Sequence, residues 1–265
     1  MAEAMKPIQR ANGPEIALVS NAHPRMVLRL AYDSALGQAT AKVANWFEAE
    51  IHKDKEPVKS AMAEFVIRRE KVLGQLNSRP GLNSRPIEIT IKPFSRLILG
   101  TGSDASPTGL CLPLHVPTGI PYIPAASLRG VARRGCRSVK GLSDSADEIF
   151  GTIDKPGVVS LLDAMPVRGL CLVQEVITPH HAQYRSKKAE PNGLESPIPI
   201  AQLAISAGTF ATALVPAPGC TQEQLCCAWK ALQAGLDEEG LGARTSSGFG
   251  YVTATTSSTA QEACQ

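Results

Sequence analysis

Aromatic side chains are scarce in this sequence, and long hydrophobic runs are missing from it. Phe, Trp and Tyr together make up 5% of its 265 residues. No segment approaches the roughly 20 consecutive apolar residues that a membrane-spanning helix needs. No apolar stretch follows the first charges of the chain, as it would in a secretory signal. The sequence offers no membrane or export signal, and we expect a globular cytoplasmic protein that binds no membrane.

Cysteine pairs, metal motifs and strong net charge are missing as well. The seven cysteines form no Cys-x-x-Cys pair and have no suitably spaced histidine, which argues against a disulfide framework and a structural metal. We expect Cys226 and Cys227 to be small core residues in a reducing compartment. Because the net charge is a mild +3, any nucleic-acid surface must be local. No motif predicts a cofactor.

The hydrophobic content of 43% is sufficient for one sizeable core, and periodicity divides the chain into four parts. Apolar residues at helical spacing up to Leu76, interrupted by Pro57, predict two helices. A tandem Leu-Asn-Ser-Arg-Pro repeat that ends at Pro86 predicts a linker. The predicted parts are a mobile tail at 1–25, a helical region with its linker at 26–86, a folded domain at 87–256 and a disordered tail at 257–265.

The folded part is predicted to be a single α+β domain of elaborated β-α-β-β-α-β order, the ferredoxin-like or RRM-like arrangement. Ile87, Ile89 and Ile91 alternate with polar residues, which is strand periodicity, and Thr221 with Gln224 forms a helix capping box. Such a sheet is a common RNA platform, although the fold alone does not establish RNA binding. The predicted elements are strands at 87–99, 157–164 and 170–178, one or two strands at 198–215, a strand at 251–255, and helices from Ser127 to Val139 and from Thr221.

The segment from Gly240 to Gly250 contains four glycines together with basic and hydroxyl side chains. Its backbone amides can cradle phosphates while Arg244 supplies the counter-charge. A helix precedes it and a strand follows, which is the reverse of a nucleotide-binding loop. The alternative is a tight turn with glycine at a helix C-terminus. The candidate RNA-binding residues of this segment are Gly242, Arg244, Thr245, Ser246, Ser247 and Gly248.

A second candidate surface is the predicted helix that begins at Ser127. Arg129, Arg133 and Arg137 recur at every fourth position with Arg134 beside them, so the guanidiniums share one side of the helix. Arginine forks match phosphate oxygens, and Ser127 at the helix N-terminus adds a neutral donor. Because the nearest acidic residues come at 144–148, we expect these charges to be unpaired. The alternative is an ordinary solvated face.

A third candidate is the segment Thr178-Pro-His-His-Ala-Gln-Tyr184. His180, His181 and Tyr184 could stack on bases or hydrogen-bond to them, or the histidines could act as general acid and base in RNA cleavage. No carboxylate lies near enough in sequence to orient a histidine, so we expect no catalytic role. Asp163 ends a strand and is expected to cap the following turn.

Taken together, these segments resemble the RAMP superfamily of CRISPR-associated proteins. The segment from 178 to 184, with the prolines that follow it, is most similar to the family of sixth subunits of Cmr, the type III-B effector complex. The sequence departs from the usual pattern at Arg129 and Arg244, where lysine is frequent, and at Ala125 or Ala126, where glycine is common. The segments that carry the resemblance are 99–102, 118–130, 149–151, 159–164, 178–184 and 240–250.

The resemblance implies one RRM-like domain, with insertions and a helical N-terminal extension, near the end of an RNA-guided ribonucleoprotein of antiviral defence. Its partners would be the 3′ part of the CRISPR RNA, the adjoining target RNA, other Cmr RAMP subunits and the small helical subunit. Its role would be non-catalytic, without a cofactor or metal. The alternatives are a metal-independent CRISPR RNA-processing ribonuclease with His180 or His181 as base, an end subunit of another type III effector, and a small-molecule-binding ferredoxin-like protein.

Overall fold

A computed structural model describes residues 56–79, 81–100, 112–178, 190 and 200–264. The predicted tail at 1–25 and the histidine-containing residues 179–184 lie outside these ranges. The helices and strands are α1 Glu56–Asn77, β1 Ile87–Pro93, α2 Ala125–Gly135, α3 Ala146–Phe150, β2 Val159–Leu161, β3 Met165–Ile177, β4 Ile200–Pro216, α4 Gln222–Glu239, β5 Val252–Thr256 and α5 Ser258–Ala263.

The five strands form one antiparallel sheet in the order β2-β4-β1-β5, and β3 also pairs with β4. The central strand β1 places Ile91 between Phe210 of β4 and Ala254 of β5. Ile87, Ile89 and Ile91 are all at most 2% exposed, so the alternation in the sequence correctly predicted the core face of this strand. The strand ends at Pro93 instead of the predicted 99, because proline has no N–H to continue the ladder.

Helices α2 and α4 pack together on the core face of the sheet. Thr221 and Gln224 form the predicted capping box at the start of α4, and its buried stripe of Leu225, Trp229, Leu232 and Leu236 joins the strand side chains in one hydrophobic core. The two helices approach closely at glycines. A Cβ on Gly135 would lie 2.0 Å from the backbone oxygen of Ala231, and one on Gly235 would lie 2.4 Å from that of Val131.

Helix α1 contacts the opposite face of the sheet. Glu88 projects from β1 on the side opposite to Ile87, since successive side chains of a strand alternate between faces. The Arg69 guanidinium donates to the Glu88 carboxylate at 3.1 Å and to the backbone oxygen of Thr212 at 2.9 Å. Leu73, one turn later, is buried. None of the helices in the described part of the chain is long and apolar enough to cross a membrane.

One of the predicted strand boundaries is wrong. The Pro-Val-Arg-Gly sequence at 166–169 does not form a turn between strands but lies inside β3, where the register with β4 shifts at Pro166, Arg168 and Cys171. Of the one or two strands predicted at 198–215, the structure contains one, since β4 runs unbroken through Gly208. Pairing across a long antiparallel ladder overrides the local turn preference, and the bulges absorb the mismatch.

The C-terminal residues also differ from prediction. Residues 258–263, expected to be part of a disordered tail, form α5, whose first turn is capped by the Ser257 hydroxyl. Cys226 of α4, expected to be a free core thiol, is joined by a disulfide to Cys264 just after α5. The disulfide closes a segment with a sequence separation of 38 residues and fastens the end of the chain to the core.

Candidate nucleic-acid interface

The base of the glycine-rich segment is packed against the strand-to-loop segment that follows β1. The Ala243 N–H donates to the backbone oxygen of Ile98 at 2.8 Å, and the Gly250 N–H donates to that of Arg96 at 2.9 Å. A Cβ on Gly242 would lie 2.3 Å from the Ile98 oxygen, and one on Gly250 would lie 2.1 Å from the Leu241 oxygen. These two glycines therefore allow the backbone to approach itself, as expected for a tight turn.

The tip of the segment, residues 244–248, is solvent-exposed apart from the half-buried Thr245. Arg244 has φ 60° and ψ 32° and is the one non-glycine residue with positive φ in the described ranges. The amide N–H groups of Thr245 and Ser246 have no acceptor among the described residues. Gly248 has no heavy atom within 4 Å of an added Cβ. The tip can therefore offer a guanidinium, free amides and the hydroxyls of Ser246 and Ser247 to an anion.

Helix α2 begins two residues earlier than predicted, and its cap comes from a distant strand end. Pro124 occupies the N-cap position without a side-chain hydrogen bond, and the Ala125 N–H donates to Asp163 Oδ1 at 2.7 Å. Asp163 thus caps a helix, as its residue type suggested, but not the turn that follows it. Ser127 lies half-buried in the first turn instead of capping it.

Two of the four arginines that were predicted on this helix are paired, contrary to the expectation of unpaired charge. The Arg133 guanidinium donates to the backbone oxygens of Ala146 and Gly151 and to the Asp147 carboxylate. Arg134 forms an ion pair with Glu239 at the end of α4. Arg133 holds the chain around α3 in place, so its role is structural.

The other two arginines are free. Arg129 and Arg137 are exposed, and their guanidiniums have no hydrogen-bond or ion-pair partner among the described residues. Helix α2 ends at Gly135 and not at the predicted 139, so Arg137 lies in the following turn. A cleft of about 580 Å³ between α2 and the turn before α3 is lined by Arg137 and also by Asp144 and Asp147. The cleft carries both signs of charge, and its unpaired cation is at Arg137.

One feature of this region has no counterpart in the sequence predictions. Phe94 is exposed, and its ring stacks on that of Tyr251, which follows the glycine-rich segment. The sequence contained a signal for this exposed ring. Phe94 continues the alternate polar positions Glu88, Thr90 and Lys92 of β1, and an aromatic side chain is unexpected at such a position. The predicted residues His180, His181 and Tyr184 lie outside the described ranges.

Three of the cysteine thiols are poorly suited to act as nucleophiles. Burial raises the pKa of Cys136, of Cys220 and of Cys227, which keeps these thiols protonated at neutral pH, and the thiolate is the reactive form. Among the residues that the structure describes, no group of three His, Cys, Asp or Glu side chains could hold a metal ion.

Comparison with protein families identifies the class of this chain. The model of the RAMP superfamily matches residues 90–253, and the chain belongs to that superfamily. Its sequence is 39% identical over 80 residues to the CRISPR system CMR subunit Cmr6 of Saccharolobus solfataricus. That match covers 29% of this chain and 27% of the relative, so the aligned segment spans about a quarter of the relative's length. The predicted resemblance to a Cmr-type RAMP protein is confirmed.

Solved structures show a related fold. A chain of the type III-B Cmr-beta complex bound to cognate target RNA, determined by cryo-EM, superposes with a TM-score of 0.59 at 24% identity over 82% of this chain and 72% of that one. A crystal structure of Cmr6 from Pyrococcus furiosus matches 65% of this chain and 99% of that one at 21% identity, with a TM-score of 0.42. The first likeness supports a common fold, and the second is too weak to define shared geometry.

Proposed function

We propose that this chain is a non-catalytic RNA-binding and assembly subunit of a type III-B CRISPR effector complex in antiviral defence. The observation that carries the proposal is the exposure of Arg129 and Arg137 without an acidic partner among the described residues. Unpaired guanidiniums on one surface recognise phosphate oxygens through paired hydrogen bonds. The RNA partners would be CRISPR RNA and target RNA, and the protein partners other Cmr RAMP subunits and the small helical subunit.

The fold supports this proposal. Strand β1 lies between β5 and β4 and is antiparallel to both, which is the pairing expected of a ferredoxin-like β-α-β-β-α-β unit with α2 and α4 on one face. Because Arg69 of α1 contacts the other face, the open sheet surface that RRM proteins use is partly covered. RNA contacts are therefore expected from α2 and the tip at 244–248 more than from the sheet.

The proposal is tested by measuring affinity for a single-stranded CRISPR RNA repeat over a range of salt concentrations. The Arg129→Ala/Arg137→Ala double variant should bind on the order of tenfold more weakly, and the slope of log K against log salt should fall by about 1.4, since each contact with a single strand contributes about 0.7. The matched control is Arg85→Ala/Arg168→Ala, which removes two exposed arginines elsewhere. Equal losses in both variants would show that binding is general charge attraction and would contradict this site.

The non-catalytic part of the proposal needs its own assay. We expect purified protein to leave repeat RNA intact during incubation in EDTA, because RNA cleavage without a metal requires an oriented general base. Specific cleavage that disappears in a His180→Ala/His181→Ala variant would instead establish a metal-independent ribonuclease. Affinity that hardly changes with salt would favour a small-molecule-binding protein over either.

A further inference from the structure

An exposed aromatic pair lies where β1 ends and β5 begins. The Phe94 and Tyr251 rings are stacked, with centroids 6.0 Å apart and planes inclined by 25°. Phe94 is 68% exposed, whereas Tyr251 is half-buried beneath it. A large aromatic side chain that is open to solvent on one side and supported by a second ring on the other has the form of a stacking platform.

The platform is held rigidly by the backbone. The backbone N–H groups of Phe94 and Ser95 both donate to the backbone oxygen of Tyr251, at 3.0 and 3.2 Å. The Tyr251 N–H donates to the Ser95 hydroxyl at 2.8 Å. Three hydrogen bonds therefore fix the two short segments that carry the rings. A pre-organised ring loses little conformational freedom when a ligand stacks on it.

The surroundings of Phe94 are polar and cationic. Lys92 is exposed two positions earlier on the same side of β1, and it pairs in register with the exposed Thr253 of β5. Arg96 follows two positions later; 57% of its side chain is exposed, and its guanidinium forms an ion pair with the Glu175 carboxylate. Protein-binding surfaces usually present a contiguous apolar patch. A single exposed ring bordered by a serine and by a lysine, whose ammonium has no ion-pair partner among the described residues, suits a flat, polar-edged ligand attached to an anion.

The platform also adjoins the glycine-rich segment. Tyr251 directly follows Gly250, whose N–H donates to the Arg96 oxygen. A strand of RNA whose phosphates contact the tip at 244–248 would therefore pass close to the ring of Phe94. Base stacking on an aromatic side chain requires no particular base, because every base has a π face.

We propose that Phe94, supported by Tyr251, stacks on an unpaired base of single-stranded RNA. The inference rests on the proposed RNA-binding function and adds a base contact to its phosphate contacts. The ligand class is an unstacked nucleobase within a bound strand, and duplex RNA, whose bases are stacked on each other, is not accommodated.

The test combines photo-cross-linking with affinity measurements on the full chain. A single-stranded oligoribonucleotide that contains 5-iodouridine should cross-link to the peptide carrying Phe94 or Tyr251, as identified by mass spectrometry. Phe94→Ala and Phe94→Leu should each weaken binding about five- to tenfold, the lower part of the range for stacking on one base. Phe94→Tyr should bind like the wild type. The salt slope should stay constant in all three variants, because no charge is removed.

Val116→Ala is the matched control, since Val116 is also an exposed apolar side chain, at 64%, and its replacement should leave affinity unchanged. If Phe94→Ala and Phe94→Leu bind normally while Arg129→Ala/Arg137→Ala is impaired, the stacking inference is overturned and the proposed function stands. A wild-type chain that binds no RNA overturns both. If Phe94→Ala releases a neighbouring protein subunit and leaves RNA affinity unchanged, Phe94 is a protein contact and the inference is equally overturned.

Discussion

The helix crossing of α2 with α4 and the tip of the glycine-rich segment use glycine for opposite purposes. At the crossing, a Cβ on Gly135 would lie within 3 Å of three backbone atoms, the nearest being the Ala231 oxygen at 2.0 Å. At the tip, a Cβ on Gly248 would meet nothing within 4 Å. Glycine allows close packing at the first position and leaves an accessible backbone at the second. A glycine-rich sequence therefore indicates a ligand site only where the space beside the glycine is empty.

The arginines also divide into packed and open positions. Arg133 is satisfied by two backbone oxygens and a carboxylate, whereas Arg129, one helical turn earlier, has no partner in the described residues. Packed positions should respond to substitution with a loss of stability, and open positions should respond with a loss of RNA binding.

The largest effect is expected at the helix crossing. Gly135→Ala places a methyl group against backbone atoms that no side-chain rotation can move, so the helices must separate. We expect the free energy of unfolding to fall by about 4 kcal/mol, beyond the usual cost of overpacking, as measured by urea denaturation.

The control for this prediction lies on the same helix. The nearest neighbour of a Cβ on Gly130 would be the Arg134 guanidinium at 3.8 Å, which is an ordinary contact. Gly130→Ala should therefore stabilise the protein by about 0.5–1 kcal/mol through helix propensity. Similar effects at both positions would show that the helices are not in close contact.

The second prediction separates the two ends of the glycine-rich segment. Gly242 and Gly248 both have φ of +89°, so alanine at either position costs about 1–2 kcal/mol of backbone strain. At Gly242 the methyl group would also meet the Ile98 oxygen, at 2.3 Å. We expect the free energy of unfolding to fall by about 3 kcal/mol in Gly242→Ala and by about 1 kcal/mol in Gly248→Ala, as measured by thermal or urea unfolding. Equal losses would mean that the base of the segment is as open as its tip.

The local elements of the fold could be predicted because their signals are local. The alternation of Ile87, Ile89 and Ile91 and the capping box of Thr221 and Gln224 each depend on residues a few positions apart. The continuation of β3 through the Pro-Val-Arg-Gly sequence at 166–169 could not be predicted. That sequence has the composition of a turn, and it remains in the ladder because β4, more than 30 residues later, pairs with it.

The local part of the candidate site could also be predicted, and its long-range pairings could not. Helical spacing placed the arginines on one helix, but the identity of the free ones depends on distant partners. Glu239, which pairs with Arg134, is 105 residues away, and the disulfide partner of Cys226 is 38 residues away. A local sequence pattern predicts neither of these long-range pairings. The assignment of Arg129 and Arg137 as the free pair therefore required the tertiary structure.

The third prediction applies the comparison to the arginines. Arg133→Ala leaves the oxygens of Ala146 and Gly151 and the Asp147 carboxylate without their donor. We expect a loss of about 1–3 kcal/mol in unfolding free energy, the usual cost of unsatisfied partners. Arg129→Ala should change stability by less than about 0.5 kcal/mol, as exposed substitutions do. A stable Arg133→Ala variant with impaired RNA binding would instead place Arg133 at the interface.

A smaller effect on stability than at Arg133 is expected at Arg244, where the open region carries its own strain. A left-handed non-glycine residue costs about 1–2 kcal/mol, and strain of this kind is often kept at functional sites. Arg244→Gly removes that strain but increases the freedom of the unfolded chain. The net expectation is a gain of about 0.5–1 kcal/mol in the free energy of unfolding.

Arg244→Ala is the control that separates strain from charge. It removes the same guanidinium but keeps a Cβ at φ 60°, so it should leave stability unchanged, whereas Arg244→Gly should raise it. Both variants should weaken RNA binding to the same degree and lower the salt slope by about 0.7, because each loses one phosphate contact to a single strand. Equal stabilities would show that the strain at Arg244 is no larger than the cost of the freer unfolded chain that glycine brings. A stabilised glycine variant with unimpaired RNA affinity would show that the strain serves no binding role, and the open tip would then be a turn like the packed base beside it.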